Sequence, residues 1–187
     1  KVGLRALSLA EGDLLVDVRL TEGHENILIA THQGRAITFD ETEVRAMGRQ
    51  AAGVRGIRLA EDDYVVGAAR ARKGAQVLSV TENGYGKRTP VEDFSIHHRG
   101  GGGILLHGLT DKTGLVAGIA VVDPENDIMM ITDDGVIIRT PVEDIRQCGR
   151  NSQGVIVMRT GEDVKVISIA RTDREEEDEE AETPAES

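Results

Sequence analysis

Apolar residues in this chain come in short runs of five to eight, rich in Val, Ile and Ala and bounded by Gly, Asp, Asn or Lys-Gly. Helical spacing is nearly absent, so the runs predict β-strands. One stretch shows the layout: residues 53–59, 64–71, 75–81 and 85–89 form four runs, expected to make one four-stranded unit. Val77 to Val80 and Ile128 to Ile131 are almost continuously apolar, the pattern of inner strands covered on both faces. Asn83-Gly84 and Asp134-Gly135 predict hairpins through tight primed turns, which need positive φ.

The pattern then repeats. Gly34, Gly84 and Gly135 are spaced 50 and 51 residues apart. Arg49, Arg99 and Arg150 keep those intervals, as do Gly53, Gly103 and Gly154, and the apolar column Val44, Phe94 and Ile145. Residues 3–16 match residues 53–66 in the same register, with Leu9-Ala10-Glu11 returning as Leu59-Ala60-Glu61. A fixed period near 50 with four strands per unit predicts an all-β, propeller-like array of antiparallel blades. A parallel β/α fold would need crossover helices that the pattern lacks. Residues 1–171 therefore read as the second half of one repeat followed by three fuller ones, cut from something longer. Residues 172–187 read as a disordered acidic tail.

Composition narrows the function. No run of 18 apolar residues and no signal-like start occurs in the 187 residues, so neither a membrane span nor export is expected. A cytoplasmic location suits the single cysteine, Cys148, read as an inert thiol. The net charge of −11 would argue against nucleic acid, but residues 173–187 hold nine acids and one base. The rest of the chain carries 24 acids and 21 bases, so a basic surface has to come from clustering. With only Phe39, Tyr64, Tyr85 and Phe94 as aromatics, no platform for stacking single-stranded bases is available.

The recurring arginine and glycines are the leading candidate for chemistry. In Arg99-Gly100-Gly101-Gly102-Gly103 the backbone can approach a partner closely beside a guanidinium suited to phosphate. The competing reading is a turn between blades. Basic residues recur elsewhere in register: Arg45 with Arg146, and Lys87-Arg88 with Arg139. Set on a blade rim, these would follow a duplex backbone; otherwise they are solvated edge charges. The candidate DNA-binding set is thus Arg45, Arg49, Lys87, Arg88, Arg99, Gly100, Gly101, Gly103, Arg139, Arg146 and Arg150. His97-His98 has no ligand-spaced partners for a metal, and no catalytic set assembles.

At these motifs the chain resembles a known family. Val44-Arg-Ala-Met-Gly48, Gly53-Val-Arg-Gly-Ile-Arg-Leu59, Asn83-Gly-Tyr-Gly-Lys-Arg-Thr89, Ile128-Met-Met-Ile-Thr-Asp133 and Gly149-Arg-Asn-Ser-Gln-Gly154 resemble the C-terminal domain of the DNA gyrase A subunit. The resemblance implies a β-pinwheel, here a partial set of blades, whose basic rim binds and wraps double-stranded DNA. That wrap supports ATP-dependent negative supercoiling by a type IIA topoisomerase. It implies a parent complex of two A and two B subunits, with ATP and magnesium bound elsewhere and no cofactor or catalytic residue in this segment. The family's hallmark is Gln-Arg-Arg-Gly-Gly-Lys-Gly, expected ahead of residue 1. His97-His-Arg-Gly-Gly-Gly-Gly103 is similar to it at Arg99, Gly100, Gly101 and Gly103, and departs at His97, His98 and Gly102. The A subunit of topoisomerase IV, or a propeller-type protein scaffold, is the alternative.

Overall fold

The computed structural model describes residues 3–174. Eleven strands follow in order: β1 (Asn26–Thr31), β2 (Arg35–Asp40), β3 (Val65–Arg70), β4 (Gln76–Thr81), β5 (Tyr85–Pro90), β6 (Ile104–Leu105), β7 (Val116–Val122), β8 (Asn126–Thr132), β9 (Ile137–Pro141), β10 (Val155–Ile156) and β11 (Val166–Asp173). Single 3-10 turns at Glu41–Glu43, Val91–Asp93 and Val142–Asp144 follow each hairpin. The sheets are antiparallel: β3-β1-β2-β6, β10-β5-β4-β7 and, among the described residues, the three-stranded β11-β8-β9.

The all-β fold and its four-stranded sheets match the expectation, but the strands of one sequence unit do not share a sheet. The hairpin β4–β5 is local, yet β3 just before it pairs back onto β1, with Ile27 opposite Arg70. The outer strand of each complete sheet comes from further along still. β6 adds to β2 with Ala36 opposite Ile104, and β10 adds to β5 with Gly86 opposite Val155. Residues 53–59, expected as a strand, form no ladder and are tied to the glycine loop instead. There the Arg58 N–H donates to the Gly101 carbonyl at 2.8 Å. Each sheet is thereby linked to its neighbours by the chain itself.

The turns also differ from expectation. Within them positive φ is confined to the glycines Gly34, Gly84 and Gly135, while Gln33, Asn83 and Asp134 keep negative φ. Each turn is closed by the glycine N–H donating to the threonine carbonyl three residues back, at 3.0 Å from Thr31, Thr81 and Thr132. The hairpins are thus four-residue turns with a left-handed glycine last, rather than two-residue primed turns.

Two apolar clusters sit between successive sheets. Leu28, Val77, Phe94, Leu106 and Val116 pack between the first and second. Leu78, Val80, Ile128, Met130 and Ile145 pack between the second and third. Phe94 and Ile145 are at most 3% exposed, as their column predicted, each contributing about 1.5–3 kcal/mol by burial. Val44 of the same column is exposed, since the described residues set no sheet against it. The same holds for residues 3–25, which form no strand and leave Leu4, Leu14 and Leu20 almost fully exposed. At the other end β11 runs to Asp173, past the boundary expected at residue 171. Residues 175–187, most of the expected tail, lie outside the described residues.

Candidate nucleic-acid interface

The structure divides the basic residues singled out from the sequence into those that hold sheets together and those that face outward. Lys87 belongs wholly to the first group. On β5 it is fully buried, and its ammonium donates to the carbonyls of Gly149 and Arg150 at 2.8 and 2.6 Å. Burial, offset in part by Cys148 and reinforced by Arg150, lowers its pKa to about 8. Against the sequence expectation, Lys87 is therefore not a DNA contact: no phosphate can reach a side chain enclosed this way. Beside it His107 is also fully buried. Its Nε2 faces the Gln153 carbonyl at 2.9 Å, an acceptor only, so Nε2 carries the proton and Nδ1 accepts from the Ser79 hydroxyl at 2.8 Å. Burial first, then the nearby Lys87 charge, push its pKa down to about 4.

Arg88 and Arg139 share a register position and a similar task. Arg88 donates through Nε to the Ile145 carbonyl, through Nη2 to the Glu143 carbonyl and through Nη1 to Gln76. Its guanidinium thus fills a seam between β5 and the 3-10 turn Val142–Asp144 that follows β9. Arg139 is exposed but meets Asp127 at 2.8 Å and the Asp173 carbonyl at 3.1 Å. Together with Arg174 it holds the Asp127 carboxyl below its usual range, against the opposing effect of burial.

The arginine–glycine column proves to be a second seam. Arg99 donates to the Glu43 and Arg55 carbonyls, each at 3.1 Å, and Arg150 donates to the Leu105 carbonyl at 3.1 Å. The Arg55 and Leu105 carbonyls are themselves register equivalents. The glycines have the same purpose. Gly103 has φ +65°, and a Cβ there would stand 2.5 Å from the Ala36 carbonyl oxygen. Gly154, with φ +74°, lies as tightly against Gly86. The close approach that glycine permits is to the neighbouring strand, where β6 and β10 add to their sheets. Gly101 and Gly100 are tied to the backbone of residues 58 and 56.

What faces outward is a smaller set. Arg45, Arg49 and Arg146 are exposed, and their guanidinium groups make no hydrogen bond or ion pair among the described residues. Two arginines not singled out from sequence join them. Arg55 and Arg58 are exposed with guanidinium groups equally unpaired, and they flank the glycine loop. A Cβ on Gly100 would lie 3.5 Å from the Arg55 carbonyl, and one on Gly102 would lie 3.6 Å from Arg58 Nη2. Arg35 closes the same loop by donating to the carbonyls of Gly102 and Gly103 at 3.3 and 2.7 Å. Arg5, the register equivalent of Arg55, shares a surface hollow with Arg49. That column, Arg5 with Arg55, was the available signal. Arg35, Arg55, Arg58 and Arg99 thus gather about one glycine loop, and among the described residues no acid binds the first three.

Comparison with known proteins bears on this arrangement. The family model described as DNA gyrase C-terminal domain, beta-propeller, matches residues 1–22, 25–72, 75–123 and 126–173. The A subunit of DNA gyrase from Staphylococcus aureus is 48% identical over 179 residues, which are 95% of this chain and 20% of that protein. The chain therefore spans about a fifth of the length of such relatives. A crystal structure of the C-terminal domain of DNA topoisomerase IV superposes with a TM-score of 0.85 at 31% identity, covering 90% of this chain and 53% of that one. A structure of the DNA gyrase A C-terminal domain superposes with a TM-score of 0.83 at 24% identity, over 90% and 58%, and speaks for the fold alone.

Proposed function

The chain belongs to the DNA gyrase C-terminal domain, beta-propeller, family, and from that premise we propose that its outer rim binds duplex DNA and bends it along successive blades. The observation that carries the reading is the set of exposed arginines with unpaired guanidinium groups, Arg45, Arg49, Arg55, Arg58 and Arg146, spread in register around the glycine loops. Guanidinium groups without an internal partner are free to replace phosphate counterions, which gives affinity without sequence preference. The likeness in shape to the topoisomerase IV domain is as close as that to the gyrase domain, and the 48% identity to the gyrase A subunit favours gyrase.

On this reading the domain presents a wrapped DNA segment to the cleavage core of a gyrase of two A and two B subunits, acting in the cytoplasm. ATP and magnesium are bound by other parts of that complex. The module contributes positioning, and its bend sets the direction of strand passage. Arg88, Arg99, Arg139 and Arg150 support it by holding the seams.

A gel-shift titration of duplex DNA across a salt series tests the proposal. Replacing Arg45, Arg49, Arg55, Arg58 and Arg146 by Ala is expected to lower the salt slope by about 0.9 for each phosphate neutralisation removed. Unchanged affinity and slope in the quintuple variant would exclude this rim as the DNA surface.

A further inference from the structure

A cavity of about 640 Å³ opens between the first sheet and the chain that follows β5. It lies where the second sheet holds the Arg88 guanidinium. Thr38 stands four residues after Gly34 as Arg88 stands four after Gly84, so the two occupy one register position. Their surroundings correspond as well. Thr38 forms a parallel bridge with Ile96, and Arg88 forms one with Gln147, a full repeat further along. The groups that accept from Arg88 are Gln76, Glu143 and Ile145. Their counterparts, Asn26, Glu92 and Phe94, all line the cavity. The socket for a guanidinium is therefore repeated, but threonine is too short to fill it.

Two further observations point to a ligand that donates hydrogen bonds. Thr38 is 3% exposed, and its hydroxyl oxygen has no hydrogen-bond partner. Glu25 Oε2, on a residue that also lines the cavity, is buried and unpartnered. Leaving buried acceptors unpaired is costly, and a ligand that donates to them relieves that cost. The cations around the cavity do not oppose such a ligand. Arg70 is matched by Glu25 at 3.0 Å and Arg72 by Asp123 at 2.6 Å. Lys73 faces Glu92, whose carboxylate also accepts the Gly74 N–H. Phe94 and Ile96 supply apolar wall for a tail.

We propose that this cavity is a binding site for a small alkylguanidinium, whose planar head takes the place that Arg88 takes in the next sheet. A guanidinium is favoured over an ammonium because the equivalent acceptors around Arg88 are met by the flat fork of its Nε, Nη1 and Nη2 groups. The volume lies in the range of ligand pockets and leaves room for a tail. Its lining includes none of Arg45, Arg49, Arg55, Arg58 and Arg146.

Propylguanidinium, titrated into the 187-residue chain and followed by amide NMR shifts, tests this. Saturable shifts at Asn26, Thr38 and Ser95 to His97 are expected, with propylammonium at least about fivefold weaker. Thr38→Arg supplies the head from within and should abolish the shifts. Equal responses to both cations, or undiminished binding in Thr38→Arg, would overturn the proposal. Arg88→Ala gives a second reading if Thr38→Arg does not fold. It opens the equivalent socket, so millimolar propylguanidinium should restore part of its lost Tm while propylammonium does not. Absence of that selective rescue would likewise overturn the idea of a shared socket.

Discussion

Lys87 Nζ lies 2.6 Å from the carbonyl oxygen of Arg150, so a lysine that reads as a rim cation is a buried strut between β5 and the loop that leads into β10. Lys87→Met would keep the stem's volume and leave the carbonyls of Gly149 and Arg150 without their donor. A loss of about 1–3 kcal/mol is expected in denaturant unfolding. The pH dependence should change too. With a folded pKa near 8, below the ordinary 10.5, the unfolded chain binds more protons between those values. Stability from this group therefore rises from pH 8 towards 10.5, and Lys87→Met should flatten that rise.

His107 works in the acid range by the same logic. Its folded pKa of about 4 lies below the ordinary 6.5, so the unfolded chain takes up its proton first as pH falls. Stability should drop between pH 6.5 and 4 through this residue. Melting curves of wild type and His107→Asn over that window isolate the effect, because the other histidines are common to both. Parallel pH profiles would show that His107 is not held neutral.

The glycine column offers a graded comparison. Gly53, Gly103 and Gly154 all have positive φ, yet only the last two press against a neighbouring carbonyl. Gly53→Ala should cost the conformational strain alone, about 1–3 kcal/mol. Gly103→Ala and Gly154→Ala should cost clearly more, since backbone has to move and β6 or β10 has to leave its sheet. Thermal unfolding of the three variants ranks them directly.

DNA binding should separate the two arginine classes. Arg55→Ala with Arg58→Ala is expected to lower the salt slope of duplex binding by about 1.8 while leaving Tm almost unchanged. Arg88→Ala and Arg150→Ala should instead lower Tm, because each leaves seam carbonyls unpaired. Urea midpoints and gel shifts on the same preparations distinguish the outcomes.

Residues 175–187 carry eight acids and no base. Tethered to the same chain as the exposed arginines, they are expected to compete with phosphate at an effective concentration of the order of millimolar. Deleting them is expected to tighten duplex binding at low salt, with the gain shrinking as salt screens the charges. Equal affinities at low salt would make the segment a bystander.

Much of the architecture was legible in the residues. Alternating short runs with glycine punctuation specify strands and hairpins because those preferences are local, acting between near neighbours in the chain. The recurring period specified repetition, and the column of Phe94 with Ile145 located the core, since equivalent positions meet equivalent surroundings. What the period could not show is which sheet each strand joins. β3 leads into one hairpin in sequence but pairs with the previous one, and β6 reaches back past the whole β4–β5 hairpin to pair with β2. Such pairings depend on which edges the packed sheets leave open. The same limit governs the candidate site. Arg88, Arg99 and Arg55 are alike as residues, and recurrence marks structural and functional arginines equally. Only the tertiary structure decides which of them finds a carbonyl in the adjoining sheet and which is left facing solvent. Desolvation and hydrogen bonding at each guanidinium are set by backbone remote in sequence, that of Glu143 for Arg88 and of Arg55 for Arg99.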